Sequence, residues 1–131
     1  MSSVRQPEFF FDRSLGKASA NRLRAHGWTV HLIAEFYAGD AADVADEVWI
    51  AEGCSRGWIL LTKDKKIRYR ARELEALDRG NLFCLASGNL SLDQMAQRFI
   101  EAEAPILRAD ARSSVGFWHV HDHGRVTKMW P

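Results

Sequence analysis

The chain has 131 residues, of which 47% are hydrophobic and 27% charged, and its formal net charge is +1. This length suits one domain with its own core, and the composition excludes a disordered or membrane-embedded protein. A charge so near zero does not by itself demand a nucleic-acid partner. No apolar stretch could span a bilayer and no signal peptide begins the chain, so we expect a cytoplasmic protein without a membrane partner.

The first half of the chain alternates apolar runs with helical patterns, as βαβ folds do. The predicted elements are a strand at residues 9–12, a helix at 14–26, a strand at 28–33, a loop at 34–42, a helix at 43–56 and a strand at 58–62. The last of these strands is bulky and apolar throughout, which is typical of a strand buried on both faces.

The second half continues the pattern and ends differently. We predict a helix at residues 65–79, a strand at 81–86, a helix capped by Ser91 and kinked or restarted by Pro105, and a hairpin of strands at 115–121 and 125–130. The sequence therefore predicts one α/β domain over residues 1–131, with three layers and a central, mainly parallel sheet. Its core spans about residues 8–86, and residues 87–131 form a C-terminal extension with a helix and a β-hairpin.

Two cysteines, Cys54 and Cys84, lie far apart in the sequence and lack metal-ligand spacing. We expect both to be reduced thiols of the core, since neither a disulfide framework nor a zinc site is indicated.

Acidic residues follow the predicted strands and begin one predicted helix. Asp12 and Asp64 end parallel strands, and the helix that leads into the second of them carries Asp46. Because residues that end parallel strands converge at one sheet edge, these carboxylates could meet there. Asp43, Asp46 and Glu47 would also share one face if the helix began at Asp43.

Close carboxylates need compensation. Two of them about 4 Å apart repel by roughly 4 kcal/mol at an effective dielectric near 20, so they call for protons, cationic side chains or a metal. Oxygen ligands without His or Cys favour Mg²⁺ or Mn²⁺, which would activate water for hydrolysis of phosphodiester bonds. The alternative is that the carboxylates only cap helices or pair with Lys63, Lys65 and Arg13.

Four segments, FFFDRSLG from Phe9, LRAHGWTV from Leu23, DEVWIA from Asp46 and LLTKDKKI from Leu60, resemble a known family. They are similar, in this order and over about residues 8–86, to the PIN-domain ribonucleases, and especially to the PIN-like toxins of VapC type from bacterial toxin–antitoxin pairs. The most specific element is the strand that ends in Thr-x-Asp and follows an Asp-initiated helix.

The resemblance implies a PIN-like fold and a metal-dependent endoribonuclease whose partners are an RNA substrate, an antitoxin protein and a second copy of the chain in a homodimer. It assigns Asp12, Asp46 and Asp64 as metal ligands, with Thr62 in support. PIN domains usually carry a further acid on the helix after the first strand, which is absent here. The candidates to replace it are Glu35, Asp43 and Glu47, of which Glu47 joins the catalytic set.

Two other functions remain open from the residues. One is a PIN-like module that binds RNA or protein but cleaves weakly or not at all. The other is a phosphoacceptor domain, which the chain disfavours because it lacks paired acids after the first strand and a late strand ending in Lys.

Cations cluster around Asp64, with six between residues 63 and 72. Beside a metal site they would grip RNA phosphates without reading bases. The alternative is a solvated helix face whose charge is partly offset by Glu73 and Glu75. The residues predicted to bind RNA are Arg13, Lys17, Lys63, Lys65, Lys66, Arg68 and Arg72.

Aromatic and histidine side chains give weaker signals. Trp49 and Trp58 could stack bases, but their apolar neighbours favour a place in the core. His119, His121 and His123 form a His-x-His-x-His string that can bind zinc or nickel; we expect surface or interface residues instead.

Overall fold

A six-stranded sheet forms the centre of the protein in a computed structural model that describes residues 6–39 and 43–131. The strands are β1 (Glu8–Phe11), β2 (Thr29–Leu32), β3 (Ile59–Thr62), β4 (Gly80–Leu85), β5 (Val115–Val120) and β6 (Val126–Trp130). Their order is β2-β1-β3-β4-β5-β6, and only β6 runs antiparallel to its neighbour. The prediction of a mainly parallel sheet that ends in a hairpin is confirmed. The predicted loop at 34–42 falls partly outside the described residues.

Five α-helices cover the two faces of this sheet. They are α1 (Lys17–Ala25), α2 (Asp46–Ser55), α3 (Ala71–Ala76), α4 (Leu92–Glu101) and α5 (Glu103–Arg112). Helices α1, α4 and α5 pack on one face, while α2 and the segment leading into α3 pack on the other. This arrangement confirms the three-layer α/β architecture. In the part of the chain that the structure describes, no helix is both long and apolar enough to cross a membrane.

Strand β1 shows why the sheet needs two cores. Side chains alternate between the faces of a strand, and here Phe9 and Phe11 enter the core under α1 and α4 while Phe10 enters the core under α2. All three rings are essentially inaccessible to solvent. An apolar run without alternation therefore marks a central strand, as the sequence predicted.

The predicted helix over residues 65–79 is confirmed only for Ala71–Ala76 and is wrong as a continuous helix. A 3-10 turn spans Lys65–Tyr69, Arg70 is extended with φ −110° and ψ 113°, and only then does α3 begin. The Asp64 side chain accepts from the Lys66 N–H and so caps the short turn, which buries Ile67 completely. The break at Arg70 changes which side chains of this segment can reach the sheet edge.

Helix α2 also begins later than predicted, at Asp46 and not at Asp43. Ala45 is extended, with ψ 148°, so the chain before it is not helical. The prediction that Asp43, Asp46 and Glu47 share one helical face is therefore wrong. Asp46 and Glu47 instead occupy the first turn, where acidic side chains complement the helix dipole.

The C-terminal helices follow their sequence signals. The Ser91 hydroxyl accepts from the Gln94 N–H at 3.1 Å, which confirms Ser91 as the cap of α4. Helix α4 ends at Glu101, and α5 restarts with Pro105 in its first turn, where a missing N–H breaks no helical hydrogen bond.

Candidate active site

The carboxyl ends of β1 and β3 place Asp12 next to Thr62. The two strands pair in parallel with Phe11 opposite Leu61, and the Asp12 N–H continues this ladder by donating to the Leu61 carbonyl at 2.9 Å. The position of Asp12 is thus fixed by the backbone of the sheet.

Thr62 joins two of the carboxylate residues. Its buried hydroxyl donates to Asp12 Oδ2 at 2.6 Å and accepts from the Asp64 N–H at 3.0 Å. Ser14 adds a second hydroxyl donor to Asp12 Oδ2 at 2.9 Å. Asp12 and Asp64 are therefore held by one hydroxyl that uses both its donor and its acceptor capacity.

Asp46 approaches from the beginning of α2. Its Oδ1 accepts from the Trp49 indole N–H at 2.9 Å, one helical turn along. Trp49 itself is buried, with 1% of its surface exposed, so it anchors Asp46 to the core. The tryptophan has a place in the core, as the sequence predicted, and its polar edge reaches the site.

A guanidinium group links the second and third carboxylates. Arg70 Nη1 donates to Asp46 Oδ2 at 3.3 Å and to Asp64 Oδ2 at 3.1 Å. This contact exists because Arg70 lies at the break between the 3-10 turn and α3. Within the described residues, no ion pair joins these three carboxylates to Lys63, Lys65 or Arg13, the partners that the sequence suggested.

The three carboxylates line one open cleft of about 850 Å³. Of the other predicted residues, the cations Arg13, Lys17 and Lys63 also line it. Lys65, Lys66 and Arg72 are exposed and Arg68 is half-buried on the segment that follows Asp64. Acidic and cationic side chains thus share one concave surface. The cationic side chains could bind a polyanion next to a metal cation held by the acidic side chains.

Burial raises the pKa of Asp12 above its usual value, and the nearby Asp46 charge acts in the same direction. The hydrogen bonds from Thr62 and Ser14 hold the pKa of Asp12 down and oppose that effect. Only 7% of Asp12 is exposed, and no cationic side chain among the described residues pairs with it. A buried carboxylate with hydroxyl donors and no counter-ion fits a hard divalent cation.

The acidic side chains of the cleft are nevertheless not arranged like the ligands of a closed metal site. Among residues 6–39 and 43–131, no three His, Cys, Asp or Glu side chains come close enough together to hold an ion. The guanidinium of Arg70 lies between two of the three candidates instead.

The three candidates for a further acid do not line the cleft. Glu35 accepts from the Leu32 N–H at 2.8 Å and pairs with Arg24. Asp43 is exposed, and Glu47 is half-buried in the first turn of α2.

Sequence reasoning missed four contributors to this region. Ser14 was identifiable as a hydroxyl two residues after a strand-ending Asp, a common local capping pattern. The role of Arg70 depends on a break in the backbone, which the sequence does not reveal because the residues around Arg70 have helical spacing. Tyr69, 76% exposed beside Arg68, is an accessible aromatic on the basic segment, and Trp49 positions Asp46.

The histidines and cysteines lie apart from the cleft lining. His119 lies in β5 and His121 directly follows that strand; their ring centroids are 6.1 Å apart, and the His121 ring forms a hydrogen bond with Thr127 Oγ1 at 2.9 Å. Burial is the main factor that lowers the pKa values of both histidines. Cys54 and Cys84 are free and buried, as expected, and burial raises their pKa values to about 11 and about 12.

Comparison with known proteins defines the class. A family model described as "PIN like domain" matches residues 7–87, which contain β1 to β4 and every carboxylate of the site. The chain belongs to this PIN-like family, and the resemblance found in the sequence is confirmed.

One relative is similar over most of both chains. "Putative ribonuclease VapC45" of Mycobacterium tuberculosis (strain ATCC 25618 / H37Rv) is 38% identical over 104 residues, covering 76% of this chain and 75% of its own. No solved structure matches the chain.

Proposed function

We propose that the protein is a divalent-metal-dependent endoribonuclease and the toxin of a toxin–antitoxin pair. The observation that carries this proposal is that Asp12, Asp46 and Asp64, from three separate segments, line one cleft together with basic side chains. The family and the name of the relative support a ribonuclease with VapC-type function.

In this proposal the three aspartates hold Mg²⁺ or Mn²⁺. The ion would lower the pKa of a bound water and offset the charge that develops on the phosphate. Thr62 orients Asp12 and restrains the backbone at Asp64, while Trp49 orients Asp46. Glu47, in the first turn of α2, is the candidate for a further acidic role.

The basic side chains hold the RNA backbone. Arg13, Lys17 and Lys63 lie in the cleft lining, where they can contact the phosphates nearest to the cleavage point. Lys65, Lys66, Arg68 and Arg72 extend the cationic surface along the following segment. Because such contacts release counter-ions, binding should weaken steeply as salt rises.

Asp64→Asn tests the proposal. It keeps the size of the side chain and its capacity to accept from Lys66, but removes the charge that a metal needs. We expect RNA cleavage in Mg²⁺ or Mn²⁺ to fall by at least about 100-fold. Asp78→Asn is the control, because Asp78 is an exposed acid paired with Arg79 and lies outside the cleft lining. Equal cleavage by wild type and Asp64→Asn would refute the assignment.

A second candidate is a PIN-like module that binds RNA or a protein without efficient cleavage. The observation in its favour is that no three potential ligands converge among the described residues and that Arg70 occupies two of the carboxylates. It predicts no cleavage and no rise in melting temperature in millimolar Mg²⁺ or Mn²⁺.

The partners complete the proposal. A VapC-type toxin in the cytoplasm would be restrained by an antitoxin encoded beside it, so a neighbouring reading frame for a small DNA-binding protein is expected. Co-expression should yield a stable complex with suppressed RNA cleavage. The proposed homodimer is tested by sedimentation of the purified chain.

A further inference from the structure

We infer that Arg70 is an internal counter-ion of the Asp46–Asp64 pair and that a divalent metal must displace it to bind. The inference rests on the proposed metal-dependent function and adds a residue that sets how readily the site accepts its ion.

The contact geometry supports a competition. One nitrogen, Nη1, donates to Oδ2 of both carboxylates, at 3.3 Å for Asp46 and 3.1 Å for Asp64. The side chains of these two aspartates are 26% and 28% exposed, and both residues line the cleft. A metal ion that binds these Oδ2 atoms would compete with the guanidinium for them, because both are cations drawn to the same two carboxylates.

The other oxygen of each carboxylate also accepts a hydrogen bond. Asp64 Oδ1 accepts from the Lys66 N–H at 3.0 Å, and Asp46 Oδ1 accepts from the Trp49 indole at 2.9 Å. On each carboxylate, Arg70 therefore contacts the oxygen that does not take part in these orienting hydrogen bonds. Displacement of Arg70 is the way for a metal to reach them without breaking the contacts that orient the side chains.

The Arg70 side chain is partly exposed and therefore has room to move. Its residue is extended and joins the 3-10 turn at Lys65–Tyr69 to the short helix α3, and its side chain is 41% exposed. A guanidinium released from the aspartates would stay on the basic segment next to Arg68 and Arg72. Metal binding would thereby add one free cation to the surface proposed to hold RNA.

The test is Mn²⁺ affinity of the intact protein, measured by electron paramagnetic resonance of free Mn²⁺ for wild type, Arg70→Gln and Arg72→Gln. Arg72 lies in the same segment, carries the same charge and is exposed. We expect Arg70→Gln to bind Mn²⁺ about 5- to 20-fold more tightly than wild type, and Arg72→Gln to change less than about twofold.

Melting temperature separates displacement from misfolding. In EDTA, Arg70→Gln should melt below wild type because the two carboxylates lose their counter-ion, and saturating Mn²⁺ should bring the two proteins together. Arg70→Lys, which keeps the charge but not the planar fork, should give an intermediate affinity.

The outcomes are distinct. If wild type binds Mn²⁺ and Arg70→Gln binds no more tightly than Arg72→Gln, the role of Arg70 is refuted while the proposed function stands. If neither wild type nor Arg70→Gln binds Mn²⁺, the metal-dependent function and the role of Arg70 both fall. If Arg70→Gln binds Mn²⁺ more tightly than wild type and Arg72→Gln does not, the result supports displacement of Arg70 by the metal.

Discussion

Replacing Thr62 by Val tests whether one hydroxyl organises the site. The change preserves the shape of a fully buried side chain and removes only its polar atom. Asp12 loses its shortest hydrogen bond, at 2.6 Å, and the Asp64 N–H loses its acceptor at 3.0 Å.

The expected cost follows from these two groups. A hydrogen bond to a charged group contributes about 1.5–3 kcal/mol, and a partly buried N–H without a partner adds roughly 1 kcal/mol, so we expect a loss of about 2.5–4 kcal/mol in the free energy of unfolding. At roughly 3 °C per kcal/mol for a chain of this size, the melting temperature should fall by about 8–12 °C. The pKa of Asp12 should rise further, because the Thr62 bond is one of the contacts that lower it.

Thermal melts and Mn²⁺ titrations of Thr62→Val and Thr62→Ser measure the effect. The Ser variant keeps the hydroxyl and loses only a methyl group, which costs about 1 kcal/mol. We expect Mn²⁺ affinity close to wild type for Ser and about tenfold weaker for Val. If Thr62→Val has the same melting temperature and the same Mn²⁺ affinity as Thr62→Ser, the hydroxyl does not organise the site.

Three further changes probe the core, the RNA surface and a distant carboxyl group. Gly53→Ala would place a Cβ 2.2 Å from Leu60 Cδ2, so we expect about 1–3 kcal/mol of destabilisation in a denaturant melt; an unchanged midpoint would contradict the packing. Tyr69→Ala should weaken single-stranded RNA binding by about 1–2 kcal/mol in a fluorescence titration, without changing the melting temperature, and equal affinity would exclude base stacking. Burial raises the pKa of Asp110, so the stability it contributes is complete below pH 3.8 and is lost as the pH rises through the raised pKa. Asp110→Asn should therefore melt above wild type at pH 7 and lose this advantage near pH 4, whereas a difference independent of pH would refute the reasoning.

The central strands and the acids that end them could be predicted from the sequence for a simple physical reason. A strand covered by helices on both faces has no polar positions, so Phe9 to Phe11 and Ile59 to Leu61 stand out as apolar runs. A carboxylate directly after such a run must emerge at the sheet edge. Parallel pairing then brings Asp12 and Asp64 to the same edge.

The connecting segments could not be predicted as well, because their pattern fits more than one backbone. Ile67, Ala71 and Leu74 have helical spacing, but a 3-10 turn followed by a short helix also directs Ile67 into the core. The cap that Asp64 provides suits either backbone, so it does not identify which one forms, although the outcome decides where Arg70 points. Likewise, the start of α2 depends on the extended Ala45 and not on the acids around it.

The site divides its charge compensation between two kinds of partner. Asp12 is buried and receives hydroxyl donors, which orient it but leave its charge in place, whereas Asp46 and Asp64 are more accessible and share the Arg70 guanidinium. The sheet backbone fixes the first group, while the second depends on a side chain at a backbone break. If the proposed metal site is correct, a rigid anionic half would hold the ligands in place before the metal arrives, and the exchangeable cationic partner would be released when the metal binds.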